Sequence, residues 1–176
     1  MSSGLLLARI ILGLSIGAHG AQKLFGWFGG HGLRGTVGMT ESLGFRPPHF
    51  FARALGTTEI TAGVLMTLGL LGPLGPMLTI MVMIMAMVTV HWRNGFFGAT
   101  NGIELPLFLA TGAFLLAISG PGIYSLDGAF GWLDLSTPET GYLAALIAGL
   151  LALINLALRR PSHAQDRQLS GARPTR

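Results

Sequence analysis

Residues 77–92 of the chain read MLTIMVMIMAMVTVHW, and only Thr79, Thr89 and His91 interrupt the apolar run. A segment of this kind approaches the roughly 20 residues with which a helix crosses a bilayer core. Four further apolar stretches accompany it, at 4–22, 50–72, 103–119 and 141–158. The pattern predicts an all-α membrane protein with five transmembrane helices.

The composition supports a membrane protein and limits the available chemistry. The 176 residues are 51% hydrophobic and 10% charged, whereas a soluble domain carries about 25% charged residues. The chain contains no cysteine, so it offers no thiol, disulfide or thiolate–metal chemistry. The net charge of +4 lies in loops and the C-terminal segment, without a nucleic-acid motif. We therefore expect the lipid bilayer, and no nucleic acid, as a partner.

The basic residues are distributed unevenly over the predicted loops. With five spans, every lysine and arginine except Arg9 falls on one face of the membrane. The opposite face receives the uncharged turn 71–76 and the loop 119–140, which is acidic. The positive-inside rule then predicts the N-terminus outside and the C-terminus in the cytoplasm. Arg9 is expected to be structural, either extending to the outer surface or meeting Asp127.

The loop between the first two spans predicts a short amphipathic helix at the membrane interface. Leu33, Val37 and Leu43 follow a near-helical spacing, and Gly44 stands where a C-cap is expected. A flexible glycine-rich loop is the alternative interpretation.

Ionisable residues within apolar helices are costly in a membrane, so they are candidates for function. Four of the predicted helices bring such residues to the leaflet next to the basic face. The predicted catalytic residues are Glu59, His19 and Glu104. The predicted cofactor-binding residues are Lys23, His91 and Gln22.

Carboxylates and imidazoles in a low-dielectric site can shift one another's pKa values and transfer protons. They could also bind a quinone head, whose two carbonyl oxygens need proton donors on reduction. No His-x-x-His or Glu-x-x-His pair appears, so we predict no metal site. A structural interpretation stays open. Glu59 paired with His19 or Lys23 would pin two helices together, and His91 and Glu104 would anchor helix ends.

Several motifs follow one another in order along residues 4–130. They are LLLAR ending at Arg9, HGAQKLFG at 19–26, GGHGLRGT at 29–36, LGFRPP at 43–48, Glu59 in a glycine-containing helix, NGIE at 101–104 and GPGIYSLD at 120–127. Through these motifs the chain resembles the DoxX family of small bacterial membrane proteins. The resemblance implies a four-helix membrane domain at 1–130 in the bacterial plasma membrane. Beyond it, we expect an additional transmembrane helix with its loop at 131–160 and a disordered basic tail at 161–176.

The resemblance also implies two functions. One is a quinone-linked oxidoreductase subunit of the thiosulfate:quinone type, with quinone as cofactor. Since the chain has no cysteine and no haem or flavin motif, electrons would come from a redox partner protein or a bound substrate. The other is a non-catalytic anchor or adaptor that recruits a soluble enzyme of redox or oxidative-stress defence. A transporter is a more distant alternative, since no inverted repeat is visible. Gly13 and Gly17 could mark a helix contact within the bundle or between two copies.

Overall fold

The computed structural model describes residues 2–160 and folds them into a bundle of α-helices joined by short 3₁₀ turns. The helices are α1 Ser2–Phe25, α2 Gly32–Ser42, α3 Pro48–Leu68, α4 Leu74–Ala86, α5 Glu104–Ser119, α6 Leu126–Phe130 and α7 Pro138–Ala157. The all-α membrane class predicted from the sequence is confirmed. The predicted disordered tail, 161–176, lies outside the described residues.

The described helices differ in how well they suit a bilayer. Three helical segments are long and apolar enough to cross a membrane, namely Ser2–Phe25, Leu74–Asn94 and Pro138–Ala157. α5 is apolar but shorter, and α3 is long enough at 21 residues but is less apolar because it carries Arg53 and Glu59. Five crossings therefore stay a prediction.

Helices α1 and α3 pack with their backbones in direct contact. A Cβ added at Gly63 of α3 would lie 2.6 Å from the carbonyl oxygen of Gly13, and one added at Gly20 would lie 2.8 Å from the carbonyl oxygen of Gly56. Glycine on both helices permits this approach, which larger side chains would prevent. The glycine face of α1 is thus a contact within the bundle.

Helix α4 lies at the centre and joins the other helices into one core. Val82 and Met83 of α4 pack with Ile16, Ala62 and Leu109 from α1, α3 and α5. A second cluster adds α7, because Ile80 packs against Ala113 and Ala148. The segment expected as an additional helix is therefore built into the same bundle.

The predicted helix in the first loop is confirmed as α2. Gly44, with φ of 86°, follows the C-cap residue, as glycine commonly does at helix ends. The buried residues of α2 are Thr36 and Thr40. The Thr36 hydroxyl donates to the carbonyl oxygen of Lys23 at 3.0 Å, and the Thr40 hydroxyl donates to that of Pro48 at 3.1 Å. These two bonds hold α2 across the end of α1 and the start of α3.

Candidate functional site

A buried ion pair between α1 and α3 forms the centre of the candidate site. Lys23 Nζ lies 2.7 Å from both carboxylate oxygens of Glu59. The side chain of Glu59 is 2% exposed and that of Lys23 is 24% exposed. The close backbone approach at Gly20 brings the two residues within reach. The sequence left His19 and Lys23 open as partners of Glu59, and in the structure the partner is Lys23.

Two cavities meet at this ion pair. The larger, of about 170 Å³, lies between α1, α2, α3 and α4. The smaller, of about 90 Å³, lies between α1, α3, α4 and α5. The residues shared by both linings are Lys23, Glu59, Ala86 and His91. The ion pair therefore borders both spaces at this end of the bundle.

The two cavities differ in the side chains that line them. The walls of the larger are mostly apolar, with Met39, Leu43, Phe45, Phe51, Leu55 and Met85 among them. The smaller adds His19 and the apolar side chains of Met83, Leu105, Pro106 and Leu109 to the shared residues. The larger cavity therefore suits an apolar ring with a polar edge, whereas the smaller has a second imidazole, that of His19, beside the ion pair.

His91 reaches both cavities from a π-helical turn, Met87–His91, which continues α4. Its Nδ1 lies 2.7 Å from the carbonyl oxygen of Asn101. A carbonyl only accepts, so Nδ1 is the donor in this contact, and Nε2 is the ring nitrogen that the contact leaves unused. Single π-turns inside α-helices occur frequently at functional sites.

Two predicted site residues have other contacts. Glu104 Oε2 accepts a hydrogen bond of 2.6 Å from the backbone N–H of Gly98. Gln22 Nε2 donates to the carbonyl oxygen of Phe28 at 3.2 Å. Both contacts fix loops at the same end of the bundle, and neither residue belongs to the lining of the two cavities. The structure thus brings together four of the six predicted residues, namely His19, Lys23, Glu59 and His91.

A second buried charge cluster lies at the opposite end of the bundle. Arg9 is 2% exposed, so it does not extend to the surface, and its Nη2 donates to the carbonyl oxygen of Tyr124 at 2.6 Å. Asp127, which is fully buried, accepts from the backbone N–H groups of Leu71 at 2.9 Å and Gly72 at 2.6 Å. The ion pairs found among the described residues do not include one between Arg9 and Asp127, so the expected direct meeting of the two is not made. Through their separate hydrogen bonds, the two residues tie the 120–127 loop to α1 and to the α3–α4 turn.

Sequence reasoning missed the wall that the α2–α3 segment adds to the larger cavity. Phe45 is 4% exposed, and its ring centroid lies 5.1 Å from that of Phe51. The only signal in the sequence is an aromatic residue directly after the helix-ending Gly44. That signal predicts a turn but not the cavity behind it.

These features define a membrane helical bundle with an ion pair buried between two cavities. The family model described as DoxX matches residues 4–92, and the chain belongs to the DoxX family. It is 30% identical over 124 residues to a Bacillus subtilis protein named "Putative oxidoreductase CatD", covering 70% of this chain and 84% of that relative. It is also 30% identical over 129 residues to "Uncharacterized membrane protein Rv3486" of Mycobacterium tuberculosis, covering 68% of this chain and 76% of that relative. No solved structure matches the chain.

Proposed function

We propose that this DoxX protein is a quinone-binding subunit of a membrane oxidoreductase, with the quinone head in the larger cavity. The observation that carries the proposal is an apolar cavity of about 170 Å³ that ends on the Lys23–Glu59 ion pair. Sites for drug-sized ligands begin at about 300 Å³, so this space suits a single small ring. The oxidoreductase name of the Bacillus relative agrees with a redox role.

The side chains at the cavity end have the chemistry that a quinone head requires. A bound quinone accepts two electrons and two protons at its carbonyl oxygens. The Lys23 ammonium has three donors, of which Glu59 takes two at 2.7 Å. Glu59 and the imidazole of His91 can hold and release protons in the same space. The residues present therefore fit the group, with Lys23 as donor and Glu59 and His91 as proton carriers.

The electrons for this reaction would come from outside the chain. Its sequence contains no cysteine, so a partner protein or a reduced substrate must be the donor. Thiosulfate is the first donor to test, because the family resemblance implies it. The smaller cavity, with His19 and Lys23 in its lining, is the proposed route for protons from the nearer membrane face.

The proposed location is the bacterial plasma membrane, with the N-terminus outside and the C-terminus in the cytoplasm. The end of the bundle that holds the ion pair also carries Arg34, Arg46, Arg53, Arg93 and Arg159. The opposite end has the buried Arg9 and an acidic loop. Basic residues favour the cytoplasmic side, which puts the proposed quinone site near the cytoplasm.

Extraction of bound lipid-soluble molecules tests the proposal. The protein, purified in mild detergent from quinone-producing cells, should yield close to one quinone per chain. The Lys23→Met variant should yield much less, and the Asp127→Asn variant, changed at the opposite end, should retain it. Folded wild-type protein that carries no quinone, and takes none up when it is added, would contradict the proposal.

A non-catalytic anchor is the second candidate, and one observation favours it. The charges of Lys23 and Glu59 satisfy each other at 2.7 Å, as a purely structural pin between α1 and α3 would require. The double variant Lys23→Met/Glu59→Met separates the two functions, because apolar replacement of a whole buried pair is often tolerated. A folded double variant with the same quinone content as the wild type would make the pair a structural pin, and wild-type protein without quinone would favour the anchor. A folded double variant that loses its quinone would favour the redox site.

A further inference from the structure

The residues that follow α7 contact the Leu43–Phe45 segment, which forms a wall of the larger cavity. Arg159 Nε donates to the carbonyl oxygen of Leu43 at 2.8 Å. The backbone N–H of Arg160 donates to the carbonyl oxygen of Gly44 at 2.7 Å. The guanidinium carbon of Arg159 also lies 5.8 Å from the ring centroid of Phe45, within the range of a cation–π contact. The three consecutive residues 43–45 are thus contacted by the side chain of Arg159 and the backbone amide of Arg160.

These contacts lie at the C-terminal end of α2, where a positive charge stabilises a helix. The carbonyl groups of Leu43 and Gly44 follow the last turn of α2, where a helix has unpaired acceptors and a partial negative charge. Arg159 therefore caps α2 from a distant part of the chain. The side chains of Leu43 and Phe45 line the cavity, so the segment that Arg159 caps is also a wall of the cavity.

We propose that Arg159 is a positioning residue that controls entry of an apolar, ring-bearing ligand into the larger cavity. With its cap in place, the Leu43–Phe45 wall stays closed against Phe51. Without the cap, the wall opens and the ligand enters and leaves faster. The identification of that ligand as a quinone rests on the proposed function, whereas the closed wall does not. The family match ends at residue 92, so this control is added by a helix beyond the matched region.

A single introduced cysteine can report on the wall without any ligand. The chain has no cysteine of its own, and Leu55 lines the cavity from α3. In a Leu55→Cys background, Arg159→Gln should raise the labelling rate by a small neutral maleimide about tenfold, since it removes a charge-assisted hydrogen bond. Arg159→Lys should restore part of the protection.

Arg160 provides the matched control at the adjacent position. Because its contact uses the backbone N–H, Arg160→Gln removes the same charge but leaves the contact in place. Labelling should then stay at the wild-type rate. A wild-type rate in Arg159→Gln, or an equal rise in both variants, would overturn the proposal. A second reporter, Leu65→Cys at the opposite end, must keep its rate in Arg159→Gln, because a rise there would mean general loosening and would also overturn it.

Quinone exchange links the wall to the proposed function. Dissociation of a short-chain ubiquinone analogue should be about tenfold faster from Arg159→Gln than from Arg160→Gln, by the same loss of one charged hydrogen bond. If wild-type protein binds no analogue while Arg159→Gln still speeds labelling, the quinone assignment fails and the closed wall stands. If the analogue binds but its exchange is equal in the two variants, control by Arg159 fails.

Discussion

The two ends of the bundle, called inner and outer after the proposed orientation, both bury opposite charges, but only the inner end leaves space beside them. At the inner end, the Lys23–Glu59 pair adjoins cavities of about 170 and 90 Å³. At the outer end, Arg9 adjoins a space of about 10 Å³, which is enough for about one water molecule. We therefore expect a ligand at the inner end, where space accompanies the buried charges, and none at the outer end.

The hydrogen bonds of the two ends show the same contrast. Asp127 commits both oxygens to the backbone amides of Leu71 and Gly72, so it acts as a brace for a turn. Glu59 commits both oxygens to one flexible amine, Lys23 Nζ. A lysine side chain can move toward a ligand, whereas backbone amides of a turn cannot. The inner pair can therefore exchange partners, and the outer acid cannot.

The largest expected effect comes from breaking the inner pair on one side. Lys23→Met leaves the Glu59 carboxylate buried and unpaired, which should cost about 4 kcal/mol in unfolding free energy. Reversible unfolding in mixed micelles measures it. The same variant should lose bound quinone at temperatures where it is still folded. A change below about 1 kcal/mol would mean that the pair is not buried as described.

Breaking the outer cluster should cost almost as much stability but spare the ligand. Asp127→Asn removes the negative charge near Arg9 and weakens two hydrogen bonds, for about 3 kcal/mol. Quinone content per folded chain should be unchanged, as measured by extraction after size-exclusion chromatography. Loss of quinone in this variant would remove the distinction between the two ends.

The packing that creates the inner pair can be tested with two glycines of α1. A Cβ at Gly13 would lie 2.7 Å from the backbone of Gly63, whereas one at Gly17 has its nearest neighbour at 4.0 Å. Gly13→Ala should therefore destabilise by about 2 kcal/mol through overpacking, and Gly17→Ala should be near neutral. Thermal unfolding followed by circular dichroism compares them. Equal effects would contradict the close α1–α3 approach.

The smallest effect is expected at Glu104, which lies at the inner end but outside the cavity linings. Glu104→Gln weakens the hydrogen bond to the Gly98 amide, which is on the exposed surface, so the loss should be about 1 kcal/mol. Quinone affinity should change less than twofold in an equilibrium titration. A large loss of affinity would restore Glu104 to the site.

The sequence predicted the helices well because apolar runs and glycine or proline breaks mark them clearly. It predicted a helix contact at Gly13 and Gly17, within the bundle or between two copies, and the burial of Gly13 against α3 puts that contact within the bundle. It could not predict which apolar faces meet lipid and which meet the core. Both environments are apolar, so hydrophobic periodicity does not distinguish them.

Long-range contacts limited the prediction of the site. Nothing local in the sequence connects Arg159 to Leu43, which lies 116 residues earlier in the chain. Glu104 was grouped with the buried charges, although its partner, Gly98, is only six residues away. A carboxylate at the start of a helix can face either the bundle or the preceding loop, and the spacing of residues does not choose between them.

Photoaffinity labelling tests the central claim most directly, because it reports where a quinone binds. An azidoquinone, bound to the protein in lipid nanodiscs and activated by light, should label peptides that contain Met39–Phe45 of the wall and Met85–His91 of α4. An excess of unlabelled quinone should suppress this labelling, and Lys23→Met should weaken it. Labelling that falls only on lipid-facing residues of α7, or that resists competition, would contradict a quinone site at the Lys23–Glu59 pair.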